Sequence, residues 1–329
     1  TGQTLESIEL TSQTAFVAEL RATYALRPPK PARSSRALAL HELRIRVHAD
    51  GEVELLNEAC VPVAVPSLPR MGLLLGLPAR LERCRWFGLG PHENYVDRQR
   101  GAALAVHSAA VDQLFTPYLV PGECGHRGGL RWLEVSDALG AGVRVSGAGG
   151  ALGFSLLRHA PPPPPPSLLA PRTLVIAPFV ACVCLPPCTP WSAISRRCRY
   201  SAAQLDGATH PHELEPDAGR LWLSLDNRMM GAGGDTGWTR SVHAPYRVPP
   251  GTYRWVLALR PLADEAHARA ARAASDARAH AAARAWLAER GPAYEPLPPR
   301  RSLVALLLLL FAVFLLARVA VHTSRMPWS

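Results

Sequence analysis

Lysine is almost absent from this chain. Of its 36 lysines and arginines only Lys30 is a lysine, which leaves 35 arginines, and the formal net charge is +10. The arginines form no long run and do not interleave with aromatic residues in the way typical of RNA-binding surfaces. Because net charge alone is weak evidence for a partner, the composition does not predict nucleic-acid binding.

Asparagine and targeting signals are also scarce. None of the three asparagines, Asn57, Asn94 and Asn227, begins an N-glycosylation sequon. No charged segment followed by an apolar stretch, as in a signal peptide, follows Thr1. Since the first residue is not methionine, we expect either a processed N-terminus or a fragment of a longer sequence.

The seven cysteines do not form the pattern of a strong metal site. Cys182, Cys184, Cys188 and Cys198 lie within one segment, but the paired C-x2-C knuckles of a zinc site are missing. Free or incidentally paired thiols are therefore the favoured interpretation, with zinc as the alternative, and no metal ligand is predicted.

Alternation of apolar and polar residues predicts β structure over residues 1–158. Residues 43–47 alternate strictly, and the Asp50-Gly51 turn that follows is a hairpin signal. Short strands with frequent turn residues predict an all-β, antiparallel β-sandwich. Further strand-like segments lie at residues 15–24, 52–57, 130–135 and 142–146, and residues 246–248 and 252–259 predict a terminal hairpin.

A Pro- and Cys-rich segment at residues 160–199 interrupts this pattern. It contains six consecutive prolines, Pro161–Pro166, which favour a polyproline II conformation. We interpret the segment as an insertion. It is either a loop that grew in this lineage or a non-coding stretch retained in the gene model. The alternative is a surface loop or a ligand for SH3 or WW domains.

Two further segments follow the β pattern, which ends near residue 260. Residues 262–290 are rich in alanine and arginine and predict a helix, which we interpret as a solvated spacer because alanine buries little surface. Residues 302–321 are apolar enough to predict one transmembrane helix acting as a C-terminal membrane anchor. The alternative is a buried hydrophobic helix in a cytoplasmic protein, and the flanking arginines do not define an orientation.

Three motifs indicate a family. They are WFGLGPHENYVDR at 86–98, LFTPYLVPGECGHR at 114–127 and LWLSLDNRMMGAGGDTGW at 221–238. In this order and spacing they resemble the C-terminal β-sandwich domain of large bacterial-type β-galactosidases of glycoside hydrolase family 2, which some bacteria carry on a separate small chain. The resemblance covers residues 1–260 apart from the insertion, and implies a galactose-mutarotase-like supersandwich.

The resemblance places the chemistry outside this chain. These enzymes are retaining glycosidases whose two catalytic carboxyl groups lie in a TIM barrel, and no barrel sequence is present. It therefore implies no catalytic residue here and no cofactor in this chain, although the barrel is often Mg- or Na-dependent. The implied partners are that barrel, in cis or in trans, and a β-galactoside such as lactose.

Most charged motif residues are predicted to be structural. We expect Glu93, Asn94, Asp97 and Arg98 to satisfy one another and nearby backbone groups, since buried charges must be hydrogen-bonded. The same role is expected for Glu123, Arg127 and Asp235. Cys124 stands where the family commonly has asparagine, which we expect to weaken the local network.

Trp222 is the candidate binding residue. The resemblance matches it to a tryptophan that stacks on the sugar in the leaving-group subsite, and an indole face suits the apolar face of a pyranose. The competing interpretation is a core tryptophan of a strand.

Three hypotheses for the whole chain follow. In the first the chain is part of a β-galactosidase and supports the barrel and its aglycone subsite. The alternatives are a membrane-anchored, non-catalytic carbohydrate-binding module and a gene-model fragment without independent function.

Overall fold

The structure is a computed structural model. It describes residues 2–27, 39–65, 67–119, 122–148, 152–157, 176–180, 220–234, 242–262 and 265–296. Residues Thr1–Glu295 form one compact unit, and Pro296–Ser329 form a second, of which only Pro296 is described. The proline run, the cysteines at 182–198 and Asp235 lie outside these ranges.

The described chain consists mainly of antiparallel β-strands with one long helix. In chain order the elements are β1 (Gly2–Gln13), β2 (Val17–Arg27), β3 (Ala39–His48), β4 (Val53–Val61), β5 (Arg70–Pro78), β6 (Arg83–Gly90), β7 (Ala103–Ala110), β8 (Trp132–Ser136), β9 (Gly142–Ala148), β10 (Gly153–Leu157), β11 (Ile176–Val180), β12 (Arg220–Met229), β13 (Gly251–Leu262), α1 (Glu265–Arg290) and β14 (Tyr294–Pro296).

These strands form two sheets. The large sheet has ten strands in the order β1-β2-β3-β4-β13-β9-β8-β6-β7, with β14 added to β13, and the small sheet has the order β10-β12-β5-β11. The predicted antiparallel β-sandwich is therefore confirmed. β11 lies within the segment interpreted as an insertion and pairs with β5.

The hydrophobic core lies between the inner faces of the two sheets. Leu43, Leu55 and Trp255 extend into it from the large sheet, and Leu75 and Leu223 from the small sheet. Strand alternation explains the arrangement, because every second side chain of a strand lies on the same face.

Helix α1 packs on the outer face of the large sheet, which differs from the predicted solvated spacer. Trp286 is buried in a small cluster with Leu56 and Val256. Arg290 Nη2 lies 3.0 Å from Glu42 Oε1, and Arg278 Nη1 lies 2.9 Å from Asp50 Oδ2. One tryptophan and two arginines provide the contacts that alanine alone does not.

The predicted transmembrane helix, and the membrane localisation based on it, are wrong for this structure. Among the described residues no helix is long and apolar enough to cross a membrane. α1 has the length, but arginines and acidic residues recur along it, and charged side chains are costly in a bilayer. Residues 302–321 themselves lie outside the described part of the chain.

Candidate functional site

Trp222 lies on the outer face of the small sheet. Its neighbours in the strand, Leu221 and Leu223, are fully buried in the core, whereas Trp222 is half-buried and points away from the core. It pairs with Gly76 on β5 and with Leu157 on β10. A Cβ atom at Gly76 would lie 3.5 Å from Trp222 Cζ3, so the indole rests on the glycine backbone. The structure thus does not place Trp222 in the core between the sheets.

A polar row continues from Trp222 along the same face. Ser224 and Asp226 follow on β12, and Ser155 lies opposite Ser224 on β10. Arg70 donates from Nε to Asp226 Oδ1 at 3.1 Å and from Nη2 to Asp226 Oδ2 at 2.5 Å, and the Ser224 hydroxyl donates to Oδ1 at 3.1 Å. Asp226 is 1% exposed, so both of its oxygens are held by donors in a buried position.

Glu123 joins this row from the second motif. Its Oε2 accepts a hydrogen bond of 3.1 Å from Arg70 Nη1. The sequence prediction grouped Glu123 with Arg127, but the two side chains have different partners. Arg127 is buried and donates to the carbonyl oxygens of Pro91, Leu114 and Gly125.

Glu93 is the anchor between the first two motifs. Its Oε1 lies 2.6 Å from Arg98 Nη2 and accepts a hydrogen bond from the Tyr118 hydroxyl. Its Oε2 accepts the Gly125 N–H at 2.7 Å. Burial acts to raise the pKa of Glu93, but these donors outweigh it and hold the pKa below the ordinary value. Glu93 is therefore a carboxylate at neutral pH.

Asn94 and His126 fasten the same two loops from another side. The Gly128 N–H donates to Asn94 Oδ1 at 2.9 Å, and His126 Nδ1 lies 2.9 Å from the Asn94 carbonyl oxygen. Burial lowers the pKa of His126, although the nearby Asp226 acts in the opposite direction. The ring of Tyr95 stacks on His126 with centroids 5.4 Å apart.

Asp97 connects the first motif to the third. Its Oδ1 accepts the Ala232 N–H at 3.0 Å and its Oδ2 accepts the Gly233 N–H at 2.9 Å. A Cβ atom at Gly231 would lie 2.6 Å from Asp97 Oδ2, so this glycine permits the close approach. The three motifs, distant in sequence, thus meet at one end of the small sheet.

Asp97→Ala is expected to lower the free energy of unfolding by about 1–3 kcal/mol, because two backbone donors lose their acceptor. Hydrogen exchange at the Ala232 and Gly233 amides should accelerate. Asp97→Asn, which keeps one acceptor oxygen, should have a smaller effect. Equal stability and exchange in Asp97→Ala and the wild-type chain would contradict this role.

Several residues of this cluster were missed by sequence reasoning. Arg70 begins a strand outside all three motifs, and no local pattern identifies it as the partner of Asp226. His126, Tyr95 and Asp226 lie inside the motifs, but only the fold shows that they are buried next to one another.

The described residues do not offer a metal centre. No group of three or more His, Cys, Asp or Glu side chains among them is arranged to hold a metal ion. Cys60, Cys84 and Cys124 are free thiols. Burial raises the pKa of Cys124 to about 12, so it remains protonated at neutral pH.

Comparison with known proteins identifies the chain's relatives. The family described as "Beta galactosidase small chain" matches residues 3–259. A Vibrio cholerae β-galactosidase is 35% identical over 227 residues, 68% of this chain and 17% of that protein. A Priestia megaterium β-galactosidase is 27% identical over 217 residues, 66% of this chain and 17% of that protein. The chain thus spans about a sixth of these relatives, and by its match over residues 3–259 it belongs to the β-galactosidase small-chain family.

Proposed function

We propose that this chain is the small-chain portion of a family 2 β-galactosidase, in which it supports a catalytic barrel that lies outside it. The outer face of the small sheet would face the barrel, and Trp222 would complete the subsite for the leaving group of a β-galactoside such as lactose. The observation that carries the proposal is the half-buried indole of Trp222 on this outer face, between two residues buried in the core.

Three carboxylates of the site support a non-catalytic role for this chain. Glu93, Asp97 and Asp226 each have both oxygens held by arginine, hydroxyl or backbone donors. A retaining glycosidase needs one carboxyl group that gives up a proton and one that attacks the sugar. Carboxylates occupied in this way serve as anchors for loops.

Complementation tests the proposal. The full chain is mixed with the Vibrio cholerae β-galactosidase from which the matching segment has been deleted, and hydrolysis of o-nitrophenyl β-galactoside is followed. Neither component alone should hydrolyse the substrate, and the mixture should. Hydrolysis by this chain alone would overturn the proposal, as would an inactive mixture in which the two components copurify.

Trp222→Ala in the complemented enzyme should weaken the use of glucose as galactosyl acceptor by about tenfold, since one aromatic stacking surface is lost. Hydrolysis of o-nitrophenyl β-galactoside at low glucose should change less. Trp132→Ala, which removes an indole from the large sheet, is the matched control and should leave the acceptor dependence unchanged. An equal loss in both variants would indicate a structural role for Trp222.

A second candidate function is supported by the same half-buried indole. A chain that binds sugar without a barrel would be a carbohydrate-binding module. Calorimetry of the isolated chain with lactose distinguishes the two: binding that disappears in Trp222→Ala favours the module, and no binding favours the β-galactosidase component.

A further inference from the structure

A pocket lies away from Trp222, at the other end of β12. It is a pocket of about 210 Å³ at the mouth between the two sheets. This is about seven water volumes, enough for a ligand with one ring. Its principal lining residues are Arg228, Met229, Tyr246, Arg247, Tyr253 and Tyr294.

A β-bulge directs Arg228 into this pocket. The register of β12 with β5 passes from Asp226 opposite Gly72 to Arg228 opposite Met71, so Asn227 is an extra residue. Bulges reorient the side chains that follow them. Because Met71 belongs to the core-facing side of β5, Arg228 lies on the same side, at the margin of the core.

The described lining of the pocket contains two arginines, Arg228 and Arg247, and no acidic residue. Within the described part of the chain the side chain of Arg228 has no ion pair. Arg247 uses only Nε, which donates to the Val242 carbonyl at 2.6 Å. The guanidinium of Arg228 also acts to lower the pKa of Tyr253, against the larger effect of burial. Two guanidinium groups are therefore available to an anion.

The aromatic walls of the pocket are fixed. The hydroxyl of Tyr253 donates to the Pro249 carbonyl, and that of Tyr294 donates to the Pro250 carbonyl at 3.2 Å. The two rings lie 5.0 Å apart between centroids, and the Gly231 N–H donates to the Tyr246 carbonyl at 2.9 Å. Tyr253 is 1% exposed and supports the wall from behind, so the partly buried rings of Tyr246 and Tyr294 present the aromatic surface to a ligand.

We propose that this pocket binds a small organic anion with a flat apolar body, of the class of the aromatic carboxylates. The carboxylate pairs with Arg228 and Arg247, since guanidinium groups match carboxylate geometry, and the body packs against the tyrosine rings and Met229. The site uses neither Trp222 nor the outer face of the small sheet, so it stands independently of the proposed function.

Calorimetry of the full chain with benzoate tests the proposal, with benzyl alcohol as the neutral probe of similar shape. Benzoate should bind, and its affinity should fall as salt increases. Arg228→Met should weaken benzoate binding by about tenfold or more, because a hydrogen bond to a charged group is lost. Tyr246→Ala should also weaken it. The control is Arg80→Met, which alters an exposed arginine beyond the far end of β5.

Two results would overturn the proposal. One is equal binding of benzoate and benzyl alcohol, which would exclude recognition of the charge. The other is either no benzoate binding to the wild-type chain or an affinity of Arg228→Met for benzoate equal to that of the wild-type chain. Circular dichroism and thermal unfolding show whether a variant is misfolded. If Arg228→Met is misfolded, Arg228→Lys replaces it, since lysine keeps the charge but lacks the planar guanidinium. Arg228→Lys should bind benzoate with an affinity between those expected for the wild-type chain and Arg228→Met.

Discussion

Asp226→Ala is expected to lower the free energy of unfolding by about 3–5 kcal/mol, the usual cost of removing one partner of a buried ion pair. The change removes the buried carboxylate that holds the Arg70 guanidinium through two hydrogen bonds, in a site where the Arg70 side chain is 11% exposed. Urea unfolding monitored by fluorescence measures the effect. Asp226→Asn, which keeps the shape and one acceptor oxygen, should lie between the wild-type chain and Asp226→Ala.

The double variant Arg70→Met with Asp226→Leu provides the control. Replacing both members of a buried pair by apolar residues is often neutral, so the double variant should recover part of the stability lost in Asp226→Ala, with the remainder due to Glu123, which loses Arg70 as a donor. Such a recovery would show that Asp226→Ala loses stability because the Arg70 charge is uncompensated, and not because packing is lost. A loss below about 1 kcal/mol in Asp226→Ala would contradict the assignment of this pair as the main anchor of the polar row.

The contribution of His41 by itself is expected to lower the free energy of unfolding by about 3 kcal/mol as the pH decreases from 6.5 to 4. His41 is 2% exposed, and burial lowers its pKa to about 4 despite its contact of 3.1 Å with Asn57 Oδ1. Above pH 6.5 the imidazole is neutral in both states. Between pH 6.5 and 4 the unfolded chain takes up a proton that the folded chain excludes, and the folded state loses stability.

His41→Phe should remove this dependence, because phenylalanine keeps the stacking with Trp255 and does not titrate. The free energy of unfolding, measured by urea titration at several pH values, should then be flatter between pH 6.5 and 4.5. The buried His126 contributes a remaining slope, and carboxylates such as Glu93 act at lower pH. His280→Phe, at an exposed position on α1, should leave the slope unchanged; an unchanged slope in His41→Phe would refute the explanation.

Strands were predictable from the sequence where one face packs on the core and the other face is more exposed. Residues 43–47 alternate because Leu43 contacts the core while Arg44 faces α1. β5 gave no such signal. Its consecutive residues Leu73, Leu74 and Leu75 are all buried, so apolar side chains occupy both faces and the alternation is lost.

The site was predictable only in part, for a similar reason. The motifs identified Glu93, Asp97 and Trp222, because these residues lie in short segments with a specific spacing. Arg70 is 156 residues from Asp226, and the pairing depends on the register between β5 and β12. Such long-range contacts follow from tertiary structure and leave no trace in local sequence.

The docked helix has a consequence for assembly. α1 covers the outer side of β4, β9 and β13, and the family match ends at residue 259, before the helix begins. A protein that approached these strands would have to displace Trp286 and break the ion pairs of Arg278 and Arg290. The helix therefore excludes a partner from the outer side of β4, β9 and β13 and leaves the small sheet unobstructed by this element.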